Sequence, residues 1–201
     1  MRDFLIIGNR ALTSPDFSLN DLPGSAGRMD VLCRCINSAL FLSHDMRRDV
    51  QIHLFLQGPP NPGIAIRFNG SELKYLNPDE RSAASLIKKA LNKDIMDGNL
   101  ELESTPGVWV RKTSLNTIMT ELSSADKPLY YLREDGTDIR KISILSGKGT
   151  YVLGDDQGLT SENELIVLNH KPTILSLSPI SLHRDPCITI LNTEIDRVEL
   201  G

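Results

Sequence analysis

The sequence predicts an α/β protein with a mainly parallel sheet and helices on both faces. Two observations carry this. "RDFLIIG" (2–8) and "DVQIHLFLQG" (49–58) are apolar runs of strand length, and both read as buried strands. Between them, "GRMDVLCRCINSALFLS" places Met29, Leu32, Cys33, Ile36, Ala39 and Leu40 at helical spacing. Strands joined by a crossover helix lie parallel. Ligands of such sheets bind beyond the carboxyl ends of the strands, which directs attention to 8–27, 132–136, 153–160 and 177–185.

The remaining elements come in order along the chain. "GIAIRFNGSEL" (63–73) carries an Asn-Gly hairpin signal at Asn69-Gly70. "NPDERSAASLIKKALNK" (77–93) reads as an amphipathic helix with Pro78 as its first helical residue. Residues 98–112, with Pro106, Gly107 and the single tryptophan, read as a loop and one short strand. "TSLNTIMTELSS" (113–124) is a short helix capped by Thr113 or Ser114. Strands resume at "KPLYYLRE" (127–134) and "GTYVLGD" (149–155), then "SENELIVLNH" is a helix leading to the strand "TILSL" (173–177). After Asp185-Pro186, residues Ile188, Leu191, Ile195 and Val198 fall at 3-4-3 spacing, which predicts a C-terminal helix despite the β-branched content.

The chain has 201 residues, 40% of them hydrophobic and 24% charged, which suits one sizeable globular domain. No stretch approaches the roughly 20 apolar residues of a membrane span, and "MRDFLIIG" is too short an apolar run for a signal peptide. A cytoplasmic protein is expected. Three cysteines, Cys33, Cys35 and Cys187, make no disulfide framework, and reduced thiols are expected. A net charge of −4 announces no nucleic-acid partner globally, so RNA contact would need a local basic patch.

Several familiar sites are excluded. "SGKGT" (146–150) lacks the upstream glycine of a phosphate-binding loop and has no Ser or Thr after its lysine. No G-x-G-x-x-G follows the first strand, and "GDDQGL" does not fit a calcium loop, which would begin at Leu153. His183 and Cys187 lack partner ligands, so no metal is expected. Cys33 and Cys35 read as packing residues.

Two stretches stand out. "LGDDQGL" (153–159) ends a strand on glycine shortly before a helix, which reads either as an ordinary turn or as a backbone site for a ligand. "GNRALTSPDFSLNDLPGSAGRMD" leaves roughly twenty residues where a strand-to-helix loop normally has about 2–6. It holds the apolar anchors Phe17, Leu19 and Leu22 and ends with Arg28 and Asp30 at a helix entrance. Asp30 is either a first-turn carboxylate favoured by the helix dipole or, with Arg28, a charge pair aimed above the sheet. Arg10, Arg28, Arg34, Arg47 and Arg48 form a possible basic face for phosphates.

"PDFSLNDLPGSAGRMDVLCRCINSALFLSH", "LGDDQGL" and "LSLSPISLHRDPCITILN" together resemble the archaeal tRNA pseudouridine N1-methyltransferases, of the knotted SPOUT class. Three long segments in one order span essentially the whole chain, a single SPOUT domain over 1–201 with its knot and donor-binding region at about 127–201. The resemblance implies a C-terminal deep trefoil knot, a homodimer, and S-adenosylmethionine as methyl donor with no metal. It implies donor contacts from Leu132, from Gly154, from Leu177, Ser178, Pro179, Ile180, Ser181 and Leu182, and from Cys187. "GRMD" is also similar to the motif of the ribosomal-RNA pseudouridine N1-methyltransferases, which makes Arg28 and Asp30 the catalytic candidates and leaves Arg10, Arg34, Arg47 and Arg48 for the RNA backbone.

The implied reaction is methylation of N1 of pseudouridine in the T-loop of tRNA, at position 54. A carboxylate near N1 would orient or accept its proton, and a guanidinium would steady the anion on the ring carbonyls. Two alternatives stay open: the same donor and fold acting on ribosomal RNA, and a non-catalytic RNA-binding dimer.

Overall fold

Strand β1 (Arg2–Gly8) is buried along its whole length, as an unbroken apolar run requires when both faces of a sheet are covered. Its neighbours are β2 (Val50–Leu56) and β7 (Thr150–Gly154), both parallel to it. Outside β7 lie β6 (Leu129–Asp138) and then β8 (Thr173–Ser176), also parallel. Outside β2 the sheet turns antiparallel through β3 (Ile64–Asn69), β5 (Val108–Lys112) and β4 (Leu102–Thr105). The computed structural model describes residues 1–98, 100–123, 127–142 and 147–201. Within these, one sheet runs β4-β5-β3-β2-β1-β7-β6-β8.

Helices cover both faces. They are α1 (Leu22–Ser25), α2 (Met29–Leu40), α3 (Glu80–Leu91), α4 (Leu115–Leu122), α5 (Ser161–Asn169) and α6 (Arg184–Leu200). The pleat of β1 divides the core. Phe4 and Ile6 pack with α2, α3 and α6, whereas Leu5 and Ile7 pack with Leu115, Ile118 and Met119 of α4 and Val167 of α5. Side-chain caps fix the starts of α3, α4 and α5: Asp79 accepts from Ser82 N (2.6 Å), Ser114 from Thr117 N (3.1 Å) and Thr160 from Asn163 N (3.2 Å).

The C-terminal helix α6 packs across α2, with Ile188, Leu191 and Ile195 fully buried. Each such side chain contributes about 1.5–3 kcal/mol. At the amino ends of the strands, the buried Arg2 donates to Asn192 Oδ1 at 2.5 Å, and Asn192 Nδ2 donates to the Ser38 carbonyl at 3.2 Å. These bonds fasten α6 to the start of β1 and the end of α2.

Some expectations need correction. Asn69-Gly70 is a turn, with the Asn69 carbonyl accepting from Leu73 N at 3.0 Å, but no returning strand comes after it. The antiparallel partners of β3 are β2 and β5. Helix α3 starts at Glu80, because Asp79 caps it and Pro78 lies before the cap. Residues 98–112 hold a hairpin, β4 and β5, rather than one strand. Val198 continues the α6 periodicity yet is 62% exposed. Asn99, 124–126 and 143–146 lie outside the described residues, and with them the last residue of the 113–124 helix and the first of "SGKGT".

Candidate functional site

The parallel strands bring four segments to one rim: 9–28 after β1, 133–136 within β6, 155–160 after β7 and 177–183 after β8. Strand β6 pairs Leu132 with Leu175, leaves the ladder, and returns to pair Thr137 with the same residue. The excursion walls a cavity whose lining includes Leu132, Leu177, Ser178, Ile180, Leu182 and Cys187. Arg133, Glu134, Leu153, Leu175, Ser176 and Arg184 complete its sides. Six of the nine predicted donor residues therefore share one mostly apolar cavity.

The other three surround it. Gly154 lines an adjoining cleft with Gly158, Tyr131 and Glu164. A Cβ at Gly154 would sit 2.3 Å from the Gly158 carbonyl carbon, so this turn closes only on glycine. Ser181 lines a second cleft with Val31, Arg34 and Asp156, and its hydroxyl donates to Glu134. Pro179 faces a third, beside Asp138, Arg140 and Thr193. Burial and then Glu164 push the Tyr131 phenol up to about 12, so it stays a neutral donor, bonded to Glu164 at 3.2 Å. Burial raises the Cys187 thiol, which suits packing rather than nucleophilic work. All three cysteines are free and buried.

The long loop after β1 is fully structured. Phe17 and Leu22 are buried, and Lys88 donates to the Phe17 carbonyl at 2.7 Å. Gly27, at φ 63°, lies where a Cβ would meet the Arg10 carbonyl oxygen at 1.9 Å, so only glycine lets the loop close here. Arg28 comes next, itself left-handed at φ 67°, at the cap position of α2.

That backbone turn sets the charge pair. Arg28 holds Asp30 through Nε to Oδ1 (3.0 Å) and Nη2 to Oδ2 (3.1 Å), while Arg34 Nη1 reaches Oδ2 at 3.0 Å. Burial alone would raise the Asp30 carboxyl, but hydrogen bonds from Arg28 and Arg34 outweigh it and hold it below its ordinary range. Asp156 joins the cluster, accepting from Arg10 at 2.9 Å and from Arg28 at 3.3 Å. Its carboxyl is also lowered, because bonds from Gln157 and Arg10 overcome burial.

The predicted RNA-facing arginines divide. Arg10 and Arg34 stand on the carboxyl-end rim with Arg28, and Arg34 also reaches Glu80 at 3.2 Å. Arg47 and Arg48 precede β2 and stand at the opposite rim. There Arg47 pairs with Asp196 of α6, at 2.8 Å to Oδ1, and Arg48 donates to the carbonyls of Gly70 (3.0 Å) and Leu73 (3.2 Å).

Sequence reasoning missed the polar chain beneath the 154–158 turn. Asp155, 3% exposed, accepts from Asn9 N (2.7 Å), Asn9 Nδ2 (3.0 Å) and Gln157 N (2.9 Å). Asn9 Nδ2 also donates to the Gly158 carbonyl (2.8 Å), and Asn9 Oδ1 accepts from Asn163 (3.3 Å), which in turn exchanges bonds with Gln57. This chain ties the ends of β1, β2 and β7 to the start of α5. The one available signal was a pair of polar residues, Asn9 and Asp155, each placed just past an apolar strand.

Among the described residues no group of three metal-ligating side chains is found, and no helix is long and apolar enough to cross a membrane.

The whole chain is similar to known proteins. The family profile for SAM-dependent RNA methyltransferases matches residues 1–200. A tRNA (pseudouridine(54)-N(1))-methyltransferase of Methanococcoides burtonii is 57% identical over 197 residues, covering 98% of this chain and 96% of that one. The protein of the same name from Methanosarcina acetivorans is 55% identical over 199 residues, covering 99% and 92%. Among solved structures, Archaeoglobus fulgidus Nep1 bound to S-adenosylhomocysteine superposes with a TM-score of 0.66 at 13% identity, over 100% of this chain and 99% of that one. That last likeness speaks for the fold alone.

Proposed function

This chain belongs to the SAM-dependent RNA methyltransferases, in the family of the tRNA (pseudouridine(54)-N(1))-methyltransferases, and we propose that it methylates N1 of pseudouridine 54 in tRNA. The relatives' 57% and 55% identity over nearly the full length of both chains carries this reading. S-adenosylmethionine supplies an electrophilic methyl group on a sulfonium. The residues present fit such a donor: the apolar walls formed by Leu132, Leu153, Leu177 and Leu182 suit a flat heterocycle, and the folded-back 154–158 turn brings main chain to the cavity's edge. Leu132, Gly154, Leu177, Ser178, Pro179, Ile180, Ser181, Leu182 and Cys187 are the proposed donor contacts.

On the RNA side, the target base is splayed out of its helix to reach the cavity mouth. Asp30 orients the N1–H as a hydrogen-bond acceptor. Arg28 and Arg34 occupy three of its roughly four acceptor positions, and its lowered proton affinity makes it a poor base. Arg28 binds the base or an adjacent phosphate, and Arg10 and Arg34 take RNA phosphates. Arg47 and Arg48 act, on this reading, on a second stretch of RNA at the far rim. Transfer forms the N1–C bond as the C–S bond breaks, and the N1 proton leaves to water.

The same reading proposes one domain over 1–201, with the donor region and a deep trefoil knot at about 127–201. The path of the chain supports a knot: β8 is an edge strand, yet α6 packs against α2 on the far side of β6 and β7. A homodimer is supported by the exposed apolar residues Ile180 (68%), Val198 (62%) and Leu200 (87%). The protein acts in the cytoplasm on this account. Calorimetric titration with S-adenosylmethionine, then labelled-methyl transfer to tRNA and to a ribosomal-RNA fragment, tests the function. Donor binding with methylation of tRNA supports it. No donor binding leaves an RNA-binding dimer, and labelling of the ribosomal fragment alone assigns the other substrate.

A further inference from the structure

Carboxylates compensate four arginines around the cavity at the carboxyl-end rim. Arg10 is paired with Asp156, Arg28 with Asp30 and Asp156, Arg34 with Asp30 and Glu80, and Arg133 with Asp135 and Glu164. Arg184 makes no ion pair among the described residues. Its Nε donates to the main-chain carbonyl of Asp155 at 3.0 Å, which fixes the plane of the guanidinium and leaves both Nη groups without a described protein acceptor. The carbonyl that fixes it belongs to the residue that Asn9 clamps from below.

Position adds a second observation. Arg184 lines the donor cavity with Leu132 and Cys187, the cleft with Gly154 and Gly158, and the cleft with Arg34 and Asp156. It is the side chain common to all three. In-line transfer requires N1 to meet the methyl group at the edge of the donor cavity, and the cleft holding Arg34 and Asp156 adjoins that cavity through the shared Leu182 and Arg184.

We propose that Arg184 contacts the target base, its Nη groups donating to the ring carbonyl oxygen that becomes negative as N1 loses its proton. This rests on the methyl-transfer reading. Arg28 is the weaker candidate for that charge, because two carboxylates already neutralise it, whereas an uncompensated, half-buried cation stabilises a developing anion more strongly. The step balances: the N1–C bond forms as the C–S bond breaks, the N1 proton passes to water, and the donor leaves as a neutral thioether.

The test compares wild type with R184Q and R184K in single-turnover methylation of pseudouridine-containing tRNA, with donor affinity measured separately by calorimetry. R184Q should lower the rate at saturating donor about 100-fold while donor Kd stays within about twofold of wild type. R184K should recover part of the loss, and the rising limb of the rate–pH profile of R184Q should move to higher pH, since the N1 anion is then less favoured. An R184Q enzyme with wild-type rate and profile overturns the assignment. So does a loss confined to donor Kd, which would give Arg184 to the donor's carboxylate. A wild-type enzyme that transfers nothing overturns the methyl-transfer reading along with it.

Discussion

Replacing Asn9 by Asp keeps the side chain's shape and reverses its hydrogen-bonding. The amide of Asn9 gives one N–H to Asp155 Oδ1 at 3.0 Å and the other to the Gly158 carbonyl at 2.8 Å. The bond to a carboxylate is worth about 1.5–3 kcal/mol and the bond to a carbonyl about 0.5–1.5 kcal/mol. Together about 2–4.5 kcal/mol of support for the 154–158 turn is lost, and two carboxylates then face each other in a buried setting, which adds repulsion until one takes up a proton. Part of this loss is absorbed when the turn opens. Because 1.4 kcal/mol is tenfold in affinity, donor Kd should weaken at least about tenfold by calorimetry, with RNA affinity in filter binding little changed. The double variant N9D/D155N restores an amide opposite a carboxylate and should recover part of the donor affinity. An N9D protein that binds S-adenosylmethionine like wild type would refute the view that this chain of amides holds the donor turn.

Three further outcomes are expected. The pKa of Asp30 is lowered in the fold, so it contributes stability above its unfolded value and loses it as pH falls through its folded value. Melting temperature measured from neutral to acid pH should therefore fall below about pH 4, less steeply in D30N, and the rate–pH profile should carry no inflection from Asp30 between about pH 5 and 9. R10A and R47A should each weaken RNA binding and reduce its salt slope by about 1, with R47A also lowering thermal stability by loosening Asp196 and α6; an unchanged slope in R47A would confine the RNA to the carboxyl-end rim. Light scattering on the purified chain should give twice the monomer mass, and I180D, which places a charge on an exposed apolar position, should shift it toward monomer; a wild-type monomer would contradict the dimer.

Most elements were legible because apolar periodicity is local. The strands at 2–8, 50–56 and 150–154 and the helices at 29–40 and 161–169 arise from patterns among neighbouring residues. Asn69-Gly70 signalled a turn correctly, but a turn does not dictate the next element, and here the chain proceeds to a helix. Val198 keeps the helical period of α6 but stays 62% exposed. The proposed donor residues entered through resemblance, and six of them meet in one cavity because β6, β7 and β8 end on the same rim. The Asn9–Asp155 contact spans 146 positions, so no local pattern announces it. Arg184 is distinguished by standing at the junction of three clefts with no ion-pair partner among the described residues, properties that exist only once the chain is folded.

Nucleoside mass spectrometry of a matched tRNA pair tests the central claim most directly. One tRNA carries pseudouridine at position 54 and the other uridine, each incubated with the protein and S-adenosylmethionine. The account requires N1-methylpseudouridine to appear in the first and the second to remain unmethylated at that position. Equal methylation of both, or methylation of the pseudouridine tRNA at another atom, would contradict it.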